Sequence, residues 1–411
     1  MRVCLLCSDV EIPLLGDEGC SVKLRQFADT LIAAGHEVTV VCSWLGEGAD
    51  WVSDADVHEL RANGPDWAAL QADPAVAEAH LGRDLHSLMF NHWLLRAGRD
   101  LLAGSPPDVI YERYALFGWA GAELARELGA RHALEVNGPL CLEQEGYSEF
   151  VLTDTAAGLE AQAFRAAGAV VAVSPWVRDF AVDRGADPGD VHLVPNGVAP
   201  LFERRFDGRT VREQLGLGDR PVVGYLGSFQ HWHDVRGLID AFADLRSREP
   251  RAALLLVGHG PGREAAEATV AAHGIGDDVF FTGHVQPESV PDHIAAMDVP
   301  VVPYRPTADF YFSPLKLFES MAVGRPTVAA AIGQVTEVVE PGENGVLYEP
   351  GSRGGLVDAI AGLLADAERA ASIGAAGRAR VLERHTMAAN AARALKIARP
   401  PHAPAPLVEA T

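Results

Sequence analysis

Short apolar runs alternate with amphipathic stretches along the first half of the chain. The run "RVCLLCS" at residues 2–8 is followed by the loop "GDEGCS", the helical pattern "VKLRQFADTLIAAG" and the run "HEVTVVCS". Continuous apolar runs of this length are typical of strands in a parallel sheet that helices cover on both faces. The later runs "DVIYER", "RHALEVN", "AVVAVS" and "VHLVPNGV" repeat the pattern. The first half therefore predicts a parallel α/β domain.

The same alternation begins again after residue 200. Its runs are "PVVGYLGS", "AALLLVGHG", "DVFFTGHV", "VPVVPY", "PTVAAA" and "GVLYEP", separated by helical patterns such as "VRGLIDAFADLRSRE". The segments "FERRFDGRT" and "LGLGDRP" break the periodicity near residues 200–220, so we predict two parallel α/β domains. The stretch between the second strand and residue 105 has little strand character and predicts helices and loops.

The composition is that of a globular protein and limits the surfaces it can offer. Of the 411 residues, 48% are hydrophobic and 22% are charged, with 34 Lys and Arg against 56 Asp and Glu. The net charge of −22 argues against a surface for nucleic acid or anionic lipid, so a phosphate site must be built locally from helix N-termini and a few cations. No apolar run has the length of a membrane span, and Met1 leads directly into a strand instead of a signal peptide.

The five cysteines indicate a reduced protein. All lie within the first 150 residues and form no framework of regular spacing. The pair in "CLLC" at 4–7 lies in an apolar strand, where residues three apart face opposite sides of the sheet. We interpret these cysteines as small buried hydrophobic residues and expect a cytoplasmic location.

The segment "SPLKLFESMAVGRP" at residues 313–326 predicts a helix. Ser313 is a suitable N-cap and Pro314 a suitable first residue, whereas Gly324 and Pro326 are typical of a helix end. The expected buried stripe consists of Leu315, Leu317, Phe318, Met321 and Ala322.

Lys316 is an unusual residue for the first turn of this helix. Its charge faces the positive end of the helix dipole, and a lysine three residues before Glu319 is the poorer orientation for a helical ion pair. Two interpretations remain open at this point. Either an anion lies at the helix start and attracts Lys316, or the lysine is a solvated surface side chain.

Open parallel sheets bind ligands beyond the carboxyl ends of their strands, so the residues that follow the apolar runs form the candidate site. These residues are Gly16–Ser21, Arg113, Asn137, Gly227–His233, Gly258–Gly262, Gly283–Val285 and Tyr304–Lys316. The segment "VGHGPG" lacks the third glycine of a dinucleotide-binding loop, and no P-loop lysine is present, so neither function is favoured. The segment "HWH" at 231–233 has no third ligand nearby, which favours hydrogen-bonding loop histidines over a metal site.

Several motifs taken together resemble one family. They are "GCSVKLRQFADTLIAAGHEVTVV", "VSPWVRDFAVDRGA" with "VHLVPNGV", "LLLVGHGP", "FFTGHV", "VPVVPY" and "KLFESMAVGRPTVAA". Over about residues 1–398 they resemble, in the same order, the retaining nucleotide-sugar-dependent glycosyltransferases of GT-B fold, glycosyltransferase family 4. The resemblance implies an α/β fold of two Rossmann-like parallel-sheet domains that face each other across a cleft.

The same resemblance implies the domain limits. We expect an acceptor-binding domain over residues 1–200 and a nucleotide-sugar-binding domain over residues 201–385. A helix at about 386–398 should pack back on the first domain, and residues 399–411 should form a flexible tail. Asn196–Gly197 is interpreted as the structural turn between the domains.

The resemblance also implies a donor site around Lys316. The family's glutamate for the nucleotide ribose matches Glu319, whereas Tyr311 stands where a glutamate usually contacts the donor sugar. Ser228 and His233 stand where an arginine and a lysine usually hold the diphosphate. We therefore expect Lys316 to replace one of these cations and to bind the donor diphosphate. The other expected donor-binding residues are Gly19, Gly227, Val285, Phe312, Ser313 and Leu315.

In the N-terminal domain, Asn137 matches a histidine that many relatives place beside the donor sugar. An asparagine donates and accepts hydrogen bonds but is not a base, and the alternative role of Asn137 is a turn former before Gly138. Arg113 and Glu143 are expected to bind the acceptor. Glu143 and Glu145 either receive a cationic acceptor, such as an aminocyclitol, or are ordinary surface acids.

The implied function is transfer of a sugar from a nucleoside diphosphate sugar to an acceptor hydroxyl or amine, in natural-product or polysaccharide biosynthesis. No cofactor and no metal is expected beyond the donor substrate, because helix N-termini and Lys316 would stabilise the leaving diphosphate. The nucleobase should meet backbone groups near Gly283–Val285. Two alternatives remain open: a GT-B epimerase or hydrolase that acts on the nucleotide sugar, and a non-catalytic nucleotide-sugar-binding partner.

Overall fold

The computed structural model describes residues 1–61, 68–69, 72–144 and 150–402. The chain forms two compact units, one of Met1–Pro195 with Ala388–Thr411 and one of Asn196–Met387. From residue 403 onward, the expected tail lies outside the described residues. Within the described ranges, no helix combines the length and the apolar character needed to cross a bilayer.

Seven parallel strands form the sheet of the first unit, in the order β3-β2-β1-β4-β5-β6-β7. The strands are β1 (Arg2–Cys7), β2 (Glu37–Cys42), β3 (Asp56–Glu59), β4 (Val109–Arg113), β5 (Arg131–Val136), β6 (Val170–Ala172) and β7 (Val191–Leu193). The strand order reverses between β1 and β4, which places a ligand crevice at their carboxyl ends. The edge strand β3 departs from the prediction of helices and loops before residue 105. Its sequence is largely polar because it lies at the sheet edge and is not fully buried.

Seven described helices connect these strands. They are α1 (Gly19–Ala33), α2 (Pro74–Glu78), α3 (Gly82–Leu102), α4 (Ala120–Leu128), α5 (Leu140–Gln144), α6 (Thr153–Ala166) and α7 (Pro175–Asp183). Helix α1 buries Leu24, Phe27 and Leu31, which follow one another at the three- and four-residue spacing of an amphipathic helix.

Six parallel strands form the sheet of the second unit, in the order β10-β9-β8-β11-β12-β13. They are β8 (Val222–Leu226), β9 (Ala253–Val257), β10 (Val279–Gly283), β11 (Val299–Val302), β12 (Val328–Ala330) and β13 (Val346–Tyr348). Every residue of β9 is buried, as its continuous apolar run predicts. The order reverses between β8 and β11, so the crevice of this sheet follows those two strands.

The α-helices of the second unit lie between and after its strands along the chain. They are α8 (Arg209–Gln214), α9 (Val235–Leu245), α10 (Arg263–His273), α11 (Val290–Ala295), α12 (Leu315–Val323), α13 (Val335–Val338), α14 (Arg353–Ala365) and α15 (Ala367–Arg384). The last helix, α16 (Met387–Ile397), belongs to the first unit from Ala388 on. There the side chain of Arg131 donates to the carbonyl oxygen of Leu395 at 3.2 Å, and the amide of His132 donates to that of Arg399 at 2.7 Å.

The start of α12 differs from the prediction. The helix begins at Leu315, and Pro314 occupies the N-cap position with an extended ψ of 103° and no side-chain cap. The hydroxyl of Ser313 accepts a hydrogen bond from the amide of Asn196 at 2.8 Å instead, so the expected cap is wrong. The helix end is as predicted, with Gly324 at a φ of 88°.

Candidate active site

Glycines pack the strand ends of the second unit closely together. Gly227 follows β8 at a φ of 134° and Gly258 follows β9 at a φ of 127°. A Cβ on Gly258 would lie 2.1 Å from the carbonyl oxygen of Gly227, and a Cβ on Gly260 would lie 2.6 Å from the amide nitrogen of Phe229. The two loops therefore meet backbone to backbone, which only glycine permits.

The ammonium group of Lys316 lies against this turn. Lys316 is 8% exposed, and its Nζ donates a hydrogen bond to the hydroxyl of Tyr225 at 3.2 Å. The same Nζ lies 4.8 Å from the ring centroid of Tyr225 and 5.4 Å from that of Tyr304. A Cβ at Gly227 would lie 2.9 Å from Nζ, so the glycine makes room for the ammonium. The interpretation of Lys316 as a solvated surface side chain is therefore wrong.

Lys316 and Glu319 are shielded from water, and the two side chains do not form an ion pair with each other. In the described part of the chain, the Tyr225 hydroxyl is the sole hydrogen-bond partner of Lys316 Nζ, and the Glu319 carboxyl has none. Burial lowers the pKa of Lys316 to about 7, against the opposite effect of nearby Glu319. Burial raises the pKa of Glu319 to about 7, against the opposite effect of Lys316. A ligand that offers an anion and hydroxyl groups would relieve the free-energy cost of both groups.

The carbonyl oxygen of Ser228 organises the loop after β8. It accepts hydrogen bonds from the Tyr225 hydroxyl and from Nδ1 of His233, each at 2.6 Å, while the Ser228 side chain is exposed. Because a carbonyl only accepts, Nδ1 of His233 carries the proton. Burial, with the charge of Lys316 as the second cause, lowers the pKa of His233 to about 3. The imidazole is therefore neutral at pH 7 and supplies no positive charge to this loop.

Aromatic rings border the site. Phe312 stacks on Trp232 with the ring centroids 5.6 Å apart. The ring centroids of Tyr311 and Phe312 lie 4.2 Å apart. The ring of Tyr304 meets that of His233 edge-on at 5.4 Å. Tyr311, at the place of the family's first glutamate, thus belongs to an aromatic cluster and brings no charge.

The other expected donor residues of this unit have mainly backbone and packing contacts. The side-chain amide of Asn196 donates to the carbonyl oxygen of Ser313 at 2.8 Å, which ties the segment before α12 to Asn196. Leu315 is half-buried at the helix start. Val285 follows β10 and packs against the apolar cluster around Leu255 and Val257.

In the first unit, Asn137 belongs to a partly buried polar cluster at the carboxyl end of β5. Nζ of Lys23 donates to Oε1 of Glu135 at 2.8 Å and to Oδ1 of Asn137 at 2.9 Å. Nδ2 of Asn137 donates to Oε2 of Glu135 at 2.9 Å. Burial acts to raise the pKa of Glu135, but the charges of Lys23 and Arg113 outweigh it and lower the pKa to about 2. The Asn137 amide is therefore held at both ends.

The expected acceptor residues have different surroundings. NH1 of Arg113 lies 3.9 Å from Oε2 of Glu135, and its Nε has no hydrogen-bond partner in the described residues. Glu143 is exposed in α5, and Glu145 lies outside the described residues. Gly19 begins α1, and no atom lies within 4 Å of the place that a Cβ would take. The acceptor and donor roles of these residues stay predictions.

Sequence reasoning did not find Tyr225, Lys23 and Glu135. Tyr225 lies inside an apolar strand, and Glu135 lies in a continuous run of buried residues in β5, so their polar contacts have no local signal. In the residues that the structure describes, no group of three or more His, Cys, Asp or Glu side chains could hold a metal ion, and this includes the "HWH" segment. All five cysteines are free.

Two family models match the chain. The model described as "Glycosyl transferase 4-like domain" matches residues 18–197, in the first unit. The model described as "Glycosyl transferases group 1" matches residues 220–366, in the second unit. Each sheet therefore corresponds to one of the two matched domains.

A GDP-mannose-dependent alpha-(1-6)-phosphatidylinositol monomannoside mannosyltransferase from Mycolicibacterium smegmatis is 35% identical over 217 residues. The match covers 52% of this chain and 57% of the relative. The chain spans less than two thirds of the length of this relative and of the next most similar ones.

Solved structures share the fold. Sucrose-phosphate synthase from Thermosynechococcus elongatus has a TM-score of 0.71 at 24% identity, covering 96% of this chain and 97% of that one. Anabaena HepE in complex with UDP-glucose has a TM-score of 0.70 at 20% identity, covering 96% and 98%. The predicted class of two parallel-sheet Rossmann-like domains is thus confirmed.

Proposed function

The chain belongs to the glycosyltransferases that join a 4-like domain to a group 1 domain, and we propose that it transfers a sugar from a nucleoside diphosphate sugar to an acceptor. The acceptor group is a hydroxyl or an amine, and the anomeric configuration is retained. The reaction serves natural-product or polysaccharide biosynthesis in the reducing cytoplasm, where the five free cysteines stay reduced.

One observation carries this proposal: within the described residues, a buried lysine without an ion-pair partner and a carboxyl group without a hydrogen-bond donor lie on one face of α12. Lys316 is 8% exposed and has no carboxylate within ion-pair distance among the described residues. Glu319 follows three residues later on the same flank. A nucleoside diphosphate supplies both missing partners, because its phosphates are anionic and its ribose hydroxyls donate to a carboxylate.

Lys316 also fits the chemistry of the transfer. Its ammonium has three N–H donors, of which Tyr225 takes one, so two remain for diphosphate oxygens. Negative charge on the leaving diphosphate grows as the glycosidic bond breaks, and a preorganised cation in a dry site stabilises that charge most. The N-terminal N–H groups of α12 add to the effect. We therefore expect transfer without a divalent metal.

The proposal names the chemical class of the donor and leaves its nucleobase and the acceptor open. The relative from M. smegmatis is named for GDP-mannose, and the Anabaena structure holds UDP-glucose. Both are nucleoside diphosphate sugars, so they support the class and leave the base open. The proposed acceptor contacts of the first unit are exposed Glu143 and Arg113, whose Nε has no hydrogen-bond partner among the described residues.

A nucleotide-sugar panel tests the proposal. UDP-glucose, UDP-N-acetylglucosamine and GDP-mannose are each mixed with the protein, and the melting temperature and the release of nucleoside diphosphate are measured with and without an aminocyclitol or an inositol phospholipid. A donor at 100 times its Kd should stabilise the protein by about 2.7 kcal/mol. Stabilisation without release would favour a non-catalytic binding partner, and turnover independent of acceptor would favour a hydrolase or epimerase. No stabilisation by any nucleotide sugar would contradict the proposal.

A further inference from the structure

Glu160 is a carboxyl group in the interior of the first unit. It lies on α6 and is 0% exposed. Its Oε2 accepts a hydrogen bond from the hydroxyl of Tyr114 at 3.0 Å, and its Oε1 lies 3.4 Å from Nε of Arg184. A buried carboxylate costs free energy that its partners only partly return, and apolar side chains of the same shape are often as stable. Stability alone therefore does not explain why a glutamate occupies this position.

Cys141 of α5 is the third neighbour of Glu160. It packs in an apolar cluster with Ala156, which lies one helical turn before Glu160 on α6. Burial raises the pKa of the Cys141 thiol to about 12, and the charge of Glu160 is the second cause. Burial also raises the pKa of Glu160, chiefly against the effects of Tyr114 and Arg184. The thiol and the backbone of Cys141 act in the same direction as these two groups. One carboxyl group thus meets both the residue after β4 and the helix α5.

Both segments carry a residue that we propose to bind the acceptor. Arg113 directly precedes Tyr114, and Glu143 lies two positions after Cys141 in α5. The ring of Tyr114 also packs edge-on against that of Phe164 on α6, with the centroids 5.1 Å apart. Helix α6 therefore holds the turn after β4 by a ring contact and a hydrogen bond, and Glu160 joins this turn to α5.

We propose that Glu160 is a positioning residue for the acceptor: it holds the turn after β4 and α5 in the arrangement in which Arg113 and Glu143 bind the acceptor. This inference rests on the proposed function and concerns the first unit alone. When only a fraction of the molecules has the binding-competent arrangement, the apparent Kd rises in inverse proportion to that fraction. A saturating acceptor selects the competent molecules, so kcat is retained. The alternative is a buried polar group that contributes to stability and has no further role.

Steady-state kinetics separates the two roles. Release of nucleoside diphosphate is measured with the acceptor of the panel that supports turnover, for the wild type, Glu160→Leu, Tyr114→Phe and Glu160→Gln. We expect Glu160→Leu and Tyr114→Phe to raise the acceptor KM about tenfold, which corresponds to a competent fraction of about one tenth, and to leave kcat within about threefold. Glu160→Gln should recover part of the KM, because its amide oxygen still accepts from the Tyr114 hydroxyl.

Glu112→Leu is the matched control for lost stability. Glu112 is a second buried carboxyl group of the same unit, 3% exposed, and its Oε2 lies 2.9 Å from Nε2 of His132. Its side chain faces the opposite side of the sheet from the neighbouring Arg113. The control should lower the melting temperature, as Glu160→Leu does, and leave the acceptor KM at the wild-type value. All variants are assayed well below the lowest melting temperature.

Hydrogen exchange tests the positioning without an acceptor. In Glu160→Leu and Tyr114→Phe, amides of residues 137–144 should exchange about tenfold faster than in the wild type, while those of β1 keep their rates. A role in stability alone predicts faster exchange throughout the first unit, as in the Glu112→Leu control. Tyr114→Phe removes a single hydroxyl group, so it tests the same link if Glu160→Leu does not fold.

The outcomes for the inference and for the proposed function differ. A wild-type acceptor KM in both Glu160→Leu and Tyr114→Phe, or unchanged exchange of residues 137–144, would overturn the positioning role while the enzyme itself stays active. A tenfold rise in KM in the Glu112→Leu control would also overturn it, because lost stability would then explain the effect. Absence of nucleoside diphosphate release by the wild-type protein with every donor would overturn the proposed function, and the acceptor role of Glu160 with it.

Discussion

Replacing Lys316 by methionine removes a buried positive charge and keeps a side chain of similar length. Lys316 forms no ion pair with a described residue, and its Nζ contacts a neutral hydroxyl and two aromatic rings. The folded protein therefore holds this charge at a cost in stability, which the substitution should abolish. The same substitution should remove the cation that binds the donor diphosphate, so stability and function should change in opposite directions.

The pKa of Lys316 sets the size of the effect. It falls from 10.5 to about 7 because of burial. Each unit of pKa corresponds to about 1.4 kcal/mol, so the charged lysine destabilises the fold by on the order of 4 kcal/mol. Loss of the hydrogen bond to Tyr225 offsets about 1 kcal/mol of that gain, and imperfect packing of methionine offsets a similar amount. We expect a net gain of roughly 1–3 kcal/mol.

The gain should depend on pH with a defined sign. The folded-state pKa of Lys316 lies below the unfolded value, so the folded protein binds fewer protons between about pH 7 and 10.5. The destabilisation by Lys316 is complete below pH 7 and disappears as the pH rises toward 10.5. Measurement at pH 6 is cleanest, because Glu319, with a pKa of about 7, is then mostly protonated in both proteins.

Denaturant unfolding at pH 6, 8 and 10 measures this effect, and calorimetry with UDP and GDP measures binding. Lys396→Met is the matched control, because it makes the same substitution at an exposed position and should change stability by less than about 0.5 kcal/mol. A Lys316→Met protein that is less stable than the wild type at pH 6 would refute the burial argument. Unchanged nucleotide affinity in that variant would remove Lys316 from the donor site.

Three further predictions concern the same site. Glu319→Ala should weaken nucleoside diphosphate binding by about 1.5–3 kcal/mol with the fold intact, because a charged acceptor for ribose hydroxyls is lost; equal Kd values by calorimetry would exclude Glu319. Binding of UDP or GDP at pH 8 should take up protons, since an anion raises the pKa of Lys316 from about 7; identical binding enthalpies in two buffers of different ionisation enthalpy would contradict this. Transfer should persist in EDTA, and activity that disappears there and returns with magnesium or manganese would show that a metal is required.

The strands and the end of α12 could be predicted because their signals are local. Continuous apolar runs indicated strands of both sheets, and Gly324 indicated where α12 ends. Both signals depend on residues a few positions apart, whose contacts are fixed by helix or strand geometry. The edge strand β3 was not predicted, because its sequence is largely polar.

The start of α12 shows where local signals fail. A serine followed by proline is a good helix start in isolation, but the hydroxyl of Ser313 binds the amide of Asn196, which is 117 positions away. The competing contact comes from another segment of the same unit. No periodicity near Ser313 contains it, so the cap was placed wrongly.

The sequence alone determined the fold class, the family and the suspicion about Lys316, since each rests on residue types at short spacing. Only the tertiary structure decided that Lys316 is buried and that its hydrogen-bond partner is Tyr225, which lies 91 positions away. It also decided that Lys23 and Glu135, which are 112 positions apart, hold Asn137. Burial and hydrogen bonding between distant segments set the charge state and direction of a side chain, and both arise only when the strands that carry those segments come together in a sheet.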